Sequence, residues 1–383
     1  MEIQLNILQR AREFFSSDYA EARAKFRDAC RAEGLPIVEY VHPLPGPDGT
    51  VLATDAALLG PADACKLLIV ISGTHGVEGL AGSGGQIGWL TSELRRSMPA
   101  DTAVLFVHML NPWGSAWRRR QTEDNVDLNR NFVEFDGELP ENALYRDVHP
   151  IIVGGAAGCR AKSDAGVRDF RAERGEQALA NALFAGQYDH GDGVGFGGDQ
   201  AGWSNLTLNA VLGDFARAAD HVAVIDIHTG LGPFGHGMIL CLDDSGSAGL
   251  ERARDWFGPG VLSPHDDGAI PYKLGGTTVR WIAGSLPAQT TAIALEFGTF
   301  ELAKMLELQI DDCRMHNAQG HETELGMEIR QELQDFFYPA TDDWVQSVLL
   351  RTAQMIDLAL DGLDRAGEVP QRRQGLLSLD YST

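Results

Sequence analysis

Basic residues are scarce in this 383-residue chain: 31 Lys and Arg stand against 54 Asp and Glu, a formal net charge of −23 with histidine neutral. A field of that sign repels phosphate backbones and anionic membrane surfaces, so no nucleic acid and no membrane is expected as partner. Cysteine is sparse as well. Cys30, Cys65, Cys159, Cys241 and Cys313 are odd in number, widely spaced and without a C-x-x-C pair. This excludes a disulfide framework and a cysteine zinc knuckle, and fits reduced thiols. No apolar run approaches the ~20 residues that span a bilayer. The start, Met1-Glu2-Ile3-Gln4, has neither the basic residues nor the apolar stretch of a signal peptide. A cytoplasmic location is therefore expected. No G-x-S-x-G and no G-x-x-x-x-G-K-[ST] occurs, which disfavours a serine hydrolase and a phosphate-loop enzyme.

What is present is ordinary globular composition, with 44% hydrophobic and 22% charged residues. Segments 66–72 and 102–109 read as buried strands with a helix from about 82 to 96 between them, the alternation of a parallel sheet covered on both faces. Residues 133–204 are irregular and glycine-rich, and read as an insertion with one helix near 174–186. A helix over 205–219 leads into a strand at 221–228, and further strands follow at 237–242 and 291–297. Beyond Phe300 the pattern turns helical. The expectation is one catalytic α/β domain over 1–383, with an insertion at about 133–204 and a helical tail at about 300–383. The tail's apolar stripe, including Trp344, Val348 and Ile356, reads as core or as a dimer surface, so an oligomer is compatible with it.

Three segments carry chemistry. Gly73-Thr74-His75-Gly76-Val77-Glu78-Gly79 follows the strand at 66–72, and open α/β sheets place ligand sites at such strand ends. An imidazole and a carboxylate there suit zinc, although a turn histidine beside a solvated glutamate would look the same. The strand at 221–228 ends in His228, a third ligand, with Asp226 on the same face, either behind that ligand or capping a backbone group. Arg118, Arg119, Arg120 and Arg130 cluster around Asp127 and Asn129 in an acidic chain. They fit carboxylate and oxyanion recognition, or a basic patch docking nearby acids. Glu296 places a carboxylate in an otherwise apolar strand, where burial raises its pKa as a general base requires, or where it forms a structural ion pair.

The order His75-x-x-Glu78, Asn129-Arg130 within V-D-L-N-R-N-F, His228 at a strand end and Glu296 on a later strand resembles the zinc carboxypeptidase superfamily. It is most similar to a group of uncharacterised bacterial members, over roughly residues 50 to 300. The resemblance implies a three-layer α/β/α sandwich around a mixed, mostly parallel sheet. It implies Zn2+ held by His75, Glu78 and His228, with Asp127 behind the first histidine. Asn129 and Arg130 would grip a substrate carboxylate, Glu296 would act as general base, and Arg120, with Arg119 next, would stabilise the oxyanion. Tyr272 would match the family's mobile tyrosine. The implied activity is cleavage of an amide bond next to a free carboxylate in a small peptide, as a carboxypeptidase-like metallopeptidase. Cleavage of an acyl amino acid by an aspartoacylase-like amidohydrolase is the alternative, and a zinc-bound but inactive binding module stands behind both. The long gap from Glu78 to His228 is filled by the insertion, which is expected to roof the cleft and favour small substrates.

Two features read as decoys. Gly82-Ser-Gly84-Gly85-Gln-Ile-Gly88 mimics a dinucleotide loop, but its third glycine comes one place late. His108, His149, His190, His236, His265, His316 and His321 lack paired spacing and read as structural or surface residues.

Overall fold

A computed structural model describes residues 7–95, 97–155, 160–264 and 274–366. Among the described residues eight strands form one sheet: β1 (Ile37–Val41), β2 (Ala53–Leu59), β3 (Lys66–Ser72), β4 (Thr102–His108), β5 (His221–Phe234), β6 (Gly237–Leu240), β7 (Val261–Leu262) and β8 (Gln289–Gly298), in the order β1-β2-β4-β3-β5-β8-β6-β7. The centre, β4-β3-β5-β8, is parallel, while β1, β2 and β6 join antiparallel. Among the described residues the helices are α1 (Tyr19–Ala32), α2 (Gly79–Thr91), α3 (Pro112–Trp117), α4 (Ala143–Val153), α5 (Ala165–Arg174), α6 (Glu176–Phe184), α7 (Trp203–Phe215), α8 (Ala248–Phe257), α9 (Thr278–Ser285), α10 (Leu302–Asn317), α11 (Glu324–Phe337) and α12 (Asp342–Asp364).

The period-two side-chain alternation of strands sorts the centre into two cores. Leu68, Val70, Phe106, Ile225 and Leu295 face one side, covered by α1, α2, α8 and α12. Leu67, Ile69, Leu105, Val224 and Ala292 face the other, covered by α7 and α9. The expected three-layer sandwich is thus present. Trp344, Val348 and Ile356 of α12 are fully buried within the chain, so the tail's stripe is core rather than a dimer surface.

The insertion differs from expectation. Among the described residues it holds three helices, α4, α5 and α6, not one. Pro150 inside α4 reads as a helix breaker, which hides the Tyr145, Val148, Ile152 stripe. That stripe joins Leu179 and Leu183 of α6 with Leu306 and Ile310 of α10 and Ile329 and Leu333 of α11 in a third core. Insertion and tail therefore form one body beside the sheet.

The glycine-rich run of α2 is a packing device. A Cβ on Gly84 would lie 2.3 Å from the Phe15 ring, and one on Gly88 would lie 2.3 Å from Leu349. The glycines let α2 approach its neighbours closely, and no dinucleotide loop is formed. Among the described residues no helix is long and apolar enough to cross a membrane.

His108 ends β4 in full burial, stacked on Phe26 at 4.3 Å with Ser83 Oγ 2.9 Å from its Nε2. Burial, with Arg23 adding, pushes its pKa down to about 3. The unfolded chain takes up this proton near 6.5. The ring's contribution to stability is therefore complete above pH 6.5 and is lost as pH falls toward 3, at about 1.4 kcal/mol per pH unit. Denaturant unfolding of His108→Gln should show a stability curve between pH 6 and 4 that is flatter by about one proton than that of the unaltered protein. Parallel curves would show that the ring does not titrate this way.

Candidate metal centre

Parallel pairing of β3 with β5 brings the end of β3 beside His228, which follows the last paired residue, Ile227; β5 does not end at His228, as the sequence suggested, but runs on to Phe234. After Ser72 the chain turns at Gly73, whose φ of +74° suits glycine, and presents His75 and Glu78. This turn packs backbone to backbone on α3, since a Cβ on Gly76 would lie 2.1 Å from the Gly114 carbonyl carbon. It is fixed by the amides of Val77 and Gly76, which donate to the carbonyls of Arg119 and Arg120.

His75 Nδ1 lies 2.9 Å from Glu78 Oε1, while His228 Nδ1 lies 3.2 Å from His75 Nδ1 and 3.3 Å from Glu78 Oε2. One donor atom from each of the three residues lies within 4.8 Å of the other two, and all three residues are buried. The far nitrogens face carboxylates: His75 Nε2 is 3.0 Å from Asp127 Oδ1, and His228 Nε2 is 2.9 Å from Asp226 Oδ2. Such partners fix the ring orientation and raise ligand basicity. Of the two roles open to Asp226, the structure gives the one behind the histidine, with Thr74 Oγ1 donating to its other oxygen at 2.8 Å. Thr229, unnoticed in the sequence, donates its backbone N–H to Glu78 Oε2 at 3.0 Å.

This donor set fits a divalent cation. Two imidazole nitrogens 3.2 Å apart across a carboxylate need a proton or a cation between them, and metal binding displaces such protons. Burial pushes Glu78 up, but the imidazoles of His75 and His228 outweigh it and hold the carboxyl well below its usual range. Asp127 is likewise held low, burial being outweighed by Arg120 and His75.

The centre opens on a small, partly enclosed cleft of about 60 Å³. Glu296 on β8 sits opposite His228 in the strand register and lines this cleft. Its Oε2 is buried without a hydrogen-bond partner among the described residues, and burial, with the charge of Glu78, raises its pKa to about 7 against the pull of His228, His75 and Arg120. Arg120 lines the cleft, paired with Asp127 and 3.6 Å from Glu78. Asn129 and Arg130 line it too. Asn129 Oδ1 accepts from the Thr278 amide at 3.0 Å, and Arg130 donates through Nε and Nη2 to the Phe184 carbonyl of α6.

Arg119 is a correction. Its guanidinium is fully buried, bound to Asp312 through Nε and Nη2 and to Asn125 through Nη2, away from the cleft. Adjacent residues of an irregular segment point in different directions, and spacing alone could not separate them. Arg118 is turned outward, donating to Gln331. Tyr272 lies outside the described residues.

Two apolar walls flank the centre. Leu240, Leu242 and Ala294 belong to a core of the sheet, whereas Phe184, Met305 and Phe337 belong to the third core. No sequence signal marked these residues, because their role depends on where the insertion and tail pack.

A family model described as "Protein of unknown function (DUF2817)" matches residues 15–351. No curated protein sequence matches the chain. Among solved structures, bovine thrombin-activatable fibrinolysis inhibitor in complex with tick carboxypeptidase inhibitor matches at 9% identity and TM-score 0.50, covering 91% of this chain and 97% of that one. A further structure of thrombin-activatable fibrinolysis inhibitor matches at 10% identity and TM-score 0.50, covering 91% and 74%. Carboxypeptidase A from Helicoverpa armigera matches at 14% identity and TM-score 0.45, covering 83% and 73%. At identities this low, the two matches at TM-score 0.50 show a shared fold and nothing beyond it.

Proposed function

We propose, for a chain that belongs to the DUF2817 family, zinc-dependent hydrolysis of an amide bond next to a free carboxylate. The observation that carries this reading is the convergence of His75, Glu78 and His228 beside the unpartnered Oε2 of Glu296, in one cleft. A zinc ion held by those three residues supplies Lewis acidity toward the scissile carbonyl and toward water. Glu296 takes the proton from the attacking water and passes it to the leaving amine as the C–N bond breaks, a role that suits a carboxyl titrating near neutrality. Arg120, which lines the same cleft, meets the charge that develops on the carbonyl oxygen. Arg130 and Asn129 anchor the substrate's carboxylate. A binding module would have no use for the unpartnered carboxyl.

The walls support a small, apolar substrate. Leu240, Leu242 and Ala294 on one wall and Phe184, Met305 and Phe337 on the other favour an aliphatic or aromatic substrate side chain and enclose it. That enclosure favours dipeptides, read by a carboxypeptidase-like enzyme, or N-acyl amino acids, read by an amidohydrolase. Both should be cleaved faster than tetrapeptides by roughly tenfold or more, the equivalent of ~1.4 kcal/mol. The test is a panel of all three substrate classes with apolar C-terminal residues, assayed with chelator and after zinc restoration. Chelator should abolish turnover and zinc should restore it. Turnover that survives chelation, or its absence across the panel, would overturn the proposal.

A further inference from the structure

We propose a second divalent-cation site, formed by His149 of α4 with His190 and Asp192 of the loop that follows α6. Each of the three offers a ligand atom within 4.8 Å of the other two. His149 Nε2 lies 2.8 Å from Asp192 Oδ1, and the two imidazole rings stack with centroids 3.8 Å apart.

An ion pair between His149 and Asp192 would account for two of these residues and leave the third unexplained. The ring of His190 makes no hydrogen bond among the described residues, yet it is held against another imidazole. Two protonated rings at that separation would repel each other, whereas a cation shared with a carboxylate gives both neutral rings a partner. The rings must splay to share one ion, and this is a side-chain rotation that a site open to solvent permits, with the Asp192 side chain 56% exposed.

The backbone presents the ligands ready-made. Gln187 Oε1 accepts from the amides of Asp189 and His190, and Gln187 Nε2 donates to the His190 carbonyl. The Asp192 carbonyl accepts from Cys313 Sγ–H and from Asn317 Nδ2 of α10. At Gly193 the loop presses on α4 so closely that a Cβ would lie 2.2 Å from Tyr145 Oη. Little ordering is left for an ion to impose. Two imidazoles and one carboxylate, with no thiolate, suit zinc, cobalt or nickel rather than calcium or magnesium.

An ion here would clamp α4 to the loop that backs the first centre. Asn125 Nδ2 donates to the carbonyls of Gly191 and Gly193, and the amide of Asp127 donates to the Phe196 carbonyl. The site would therefore be structural, stiffening the support of Asp127.

The test is metal stoichiometry of the full chain loaded with zinc(II) and dialysed, with cobalt(II) absorption as the spectroscopic readout. Two equivalents per chain are expected, falling to one in His149→Ala and in His190→Ala, and to one in His75→Ala. Zinc should raise the melting temperature of His75→Ala but not of the double variant His75→Ala/His190→Ala. His190→Gln, which keeps the ring's bulk, serves where the alanine variant melts early in chelator. A single equivalent lost in His190→Ala and kept in His75→Ala would support this site while refuting the hydrolase centre. A second equivalent that persists in both His149→Ala and His190→Ala, or a stoichiometry of one that only His75→Ala abolishes, would overturn the inference.

Discussion

Glu296→Gln is expected to lose turnover by a factor on the order of 10²–10⁴ while the metal content of the first centre stays unchanged. Gln keeps the shape and one acceptor of the carboxyl but cannot take up a proton. Glu296 lies opposite His228 in the β5–β8 register without being one of the three convergent donors, so its change leaves the cation's ligands in place. The variant therefore separates proton transfer from metal binding, which a change at Glu78 would confound. The measurement pairs kcat/KM on the best substrate with elemental zinc analysis of the same sample. Retained activity would mean that the proton goes elsewhere. Activity and zinc lost together would mean that Glu296 holds the ion rather than the proton.

Asp312→Ala is expected to cost about 3–5 kcal/mol of stability, because it leaves the fully buried Arg119 guanidinium without its carboxylate. The pair is bidentate, with Nε 2.9 Å from Oδ1 and Nη2 2.8 Å from Oδ2. It links the tail helix α10 to the segment whose carbonyls hold the turn of His75 and Glu78. Loss of zinc affinity should accompany loss of stability. Replacing both partners by leucine should recover more than half of the stability, since a buried pair is often no better than apolar residues of similar volume. Denaturant unfolding of the two variants decides the point. A loss below ~1 kcal/mol in Asp312→Ala would show that water reaches Arg119 once the carboxylate is gone.

Some of the centre was legible because the signals are local. Polar residues and glycine breaking into an apolar run mark the lip of a parallel sheet: Ser72-Gly73 ends β3 just before His75, and His228-Thr229-Gly230 interrupts the apolar run of β5, although β5 itself continues to Phe234. Glu296 stood out because a carboxylate in an apolar strand calls for an explanation. The three-layer architecture followed from strand–helix alternation together with the resemblance carried by those motifs. The choice between Arg119 and Arg120 was not legible, because adjacent residues share every pattern-level property and differ only in what each meets. Of the insertion's helices α6 was legible, inside the expected helix near 174–186, whereas α4 was hidden by Pro150 and α5 by its shortness.

The amino-acid order alone settled the sheet's central strands and the residue types at their ends, since burial on two faces dictates apolar runs and chemistry dictates what interrupts them. Packing decided the rest. Across more than a hundred residues it committed Arg119 to Asp312 and merged insertion and tail into a third core; over shorter separations it turned Asp226 toward His228 and brought His149 against His190. Such partnerships are set by the contact each side chain finds across space, for which a linear pattern carries no period and no spacing.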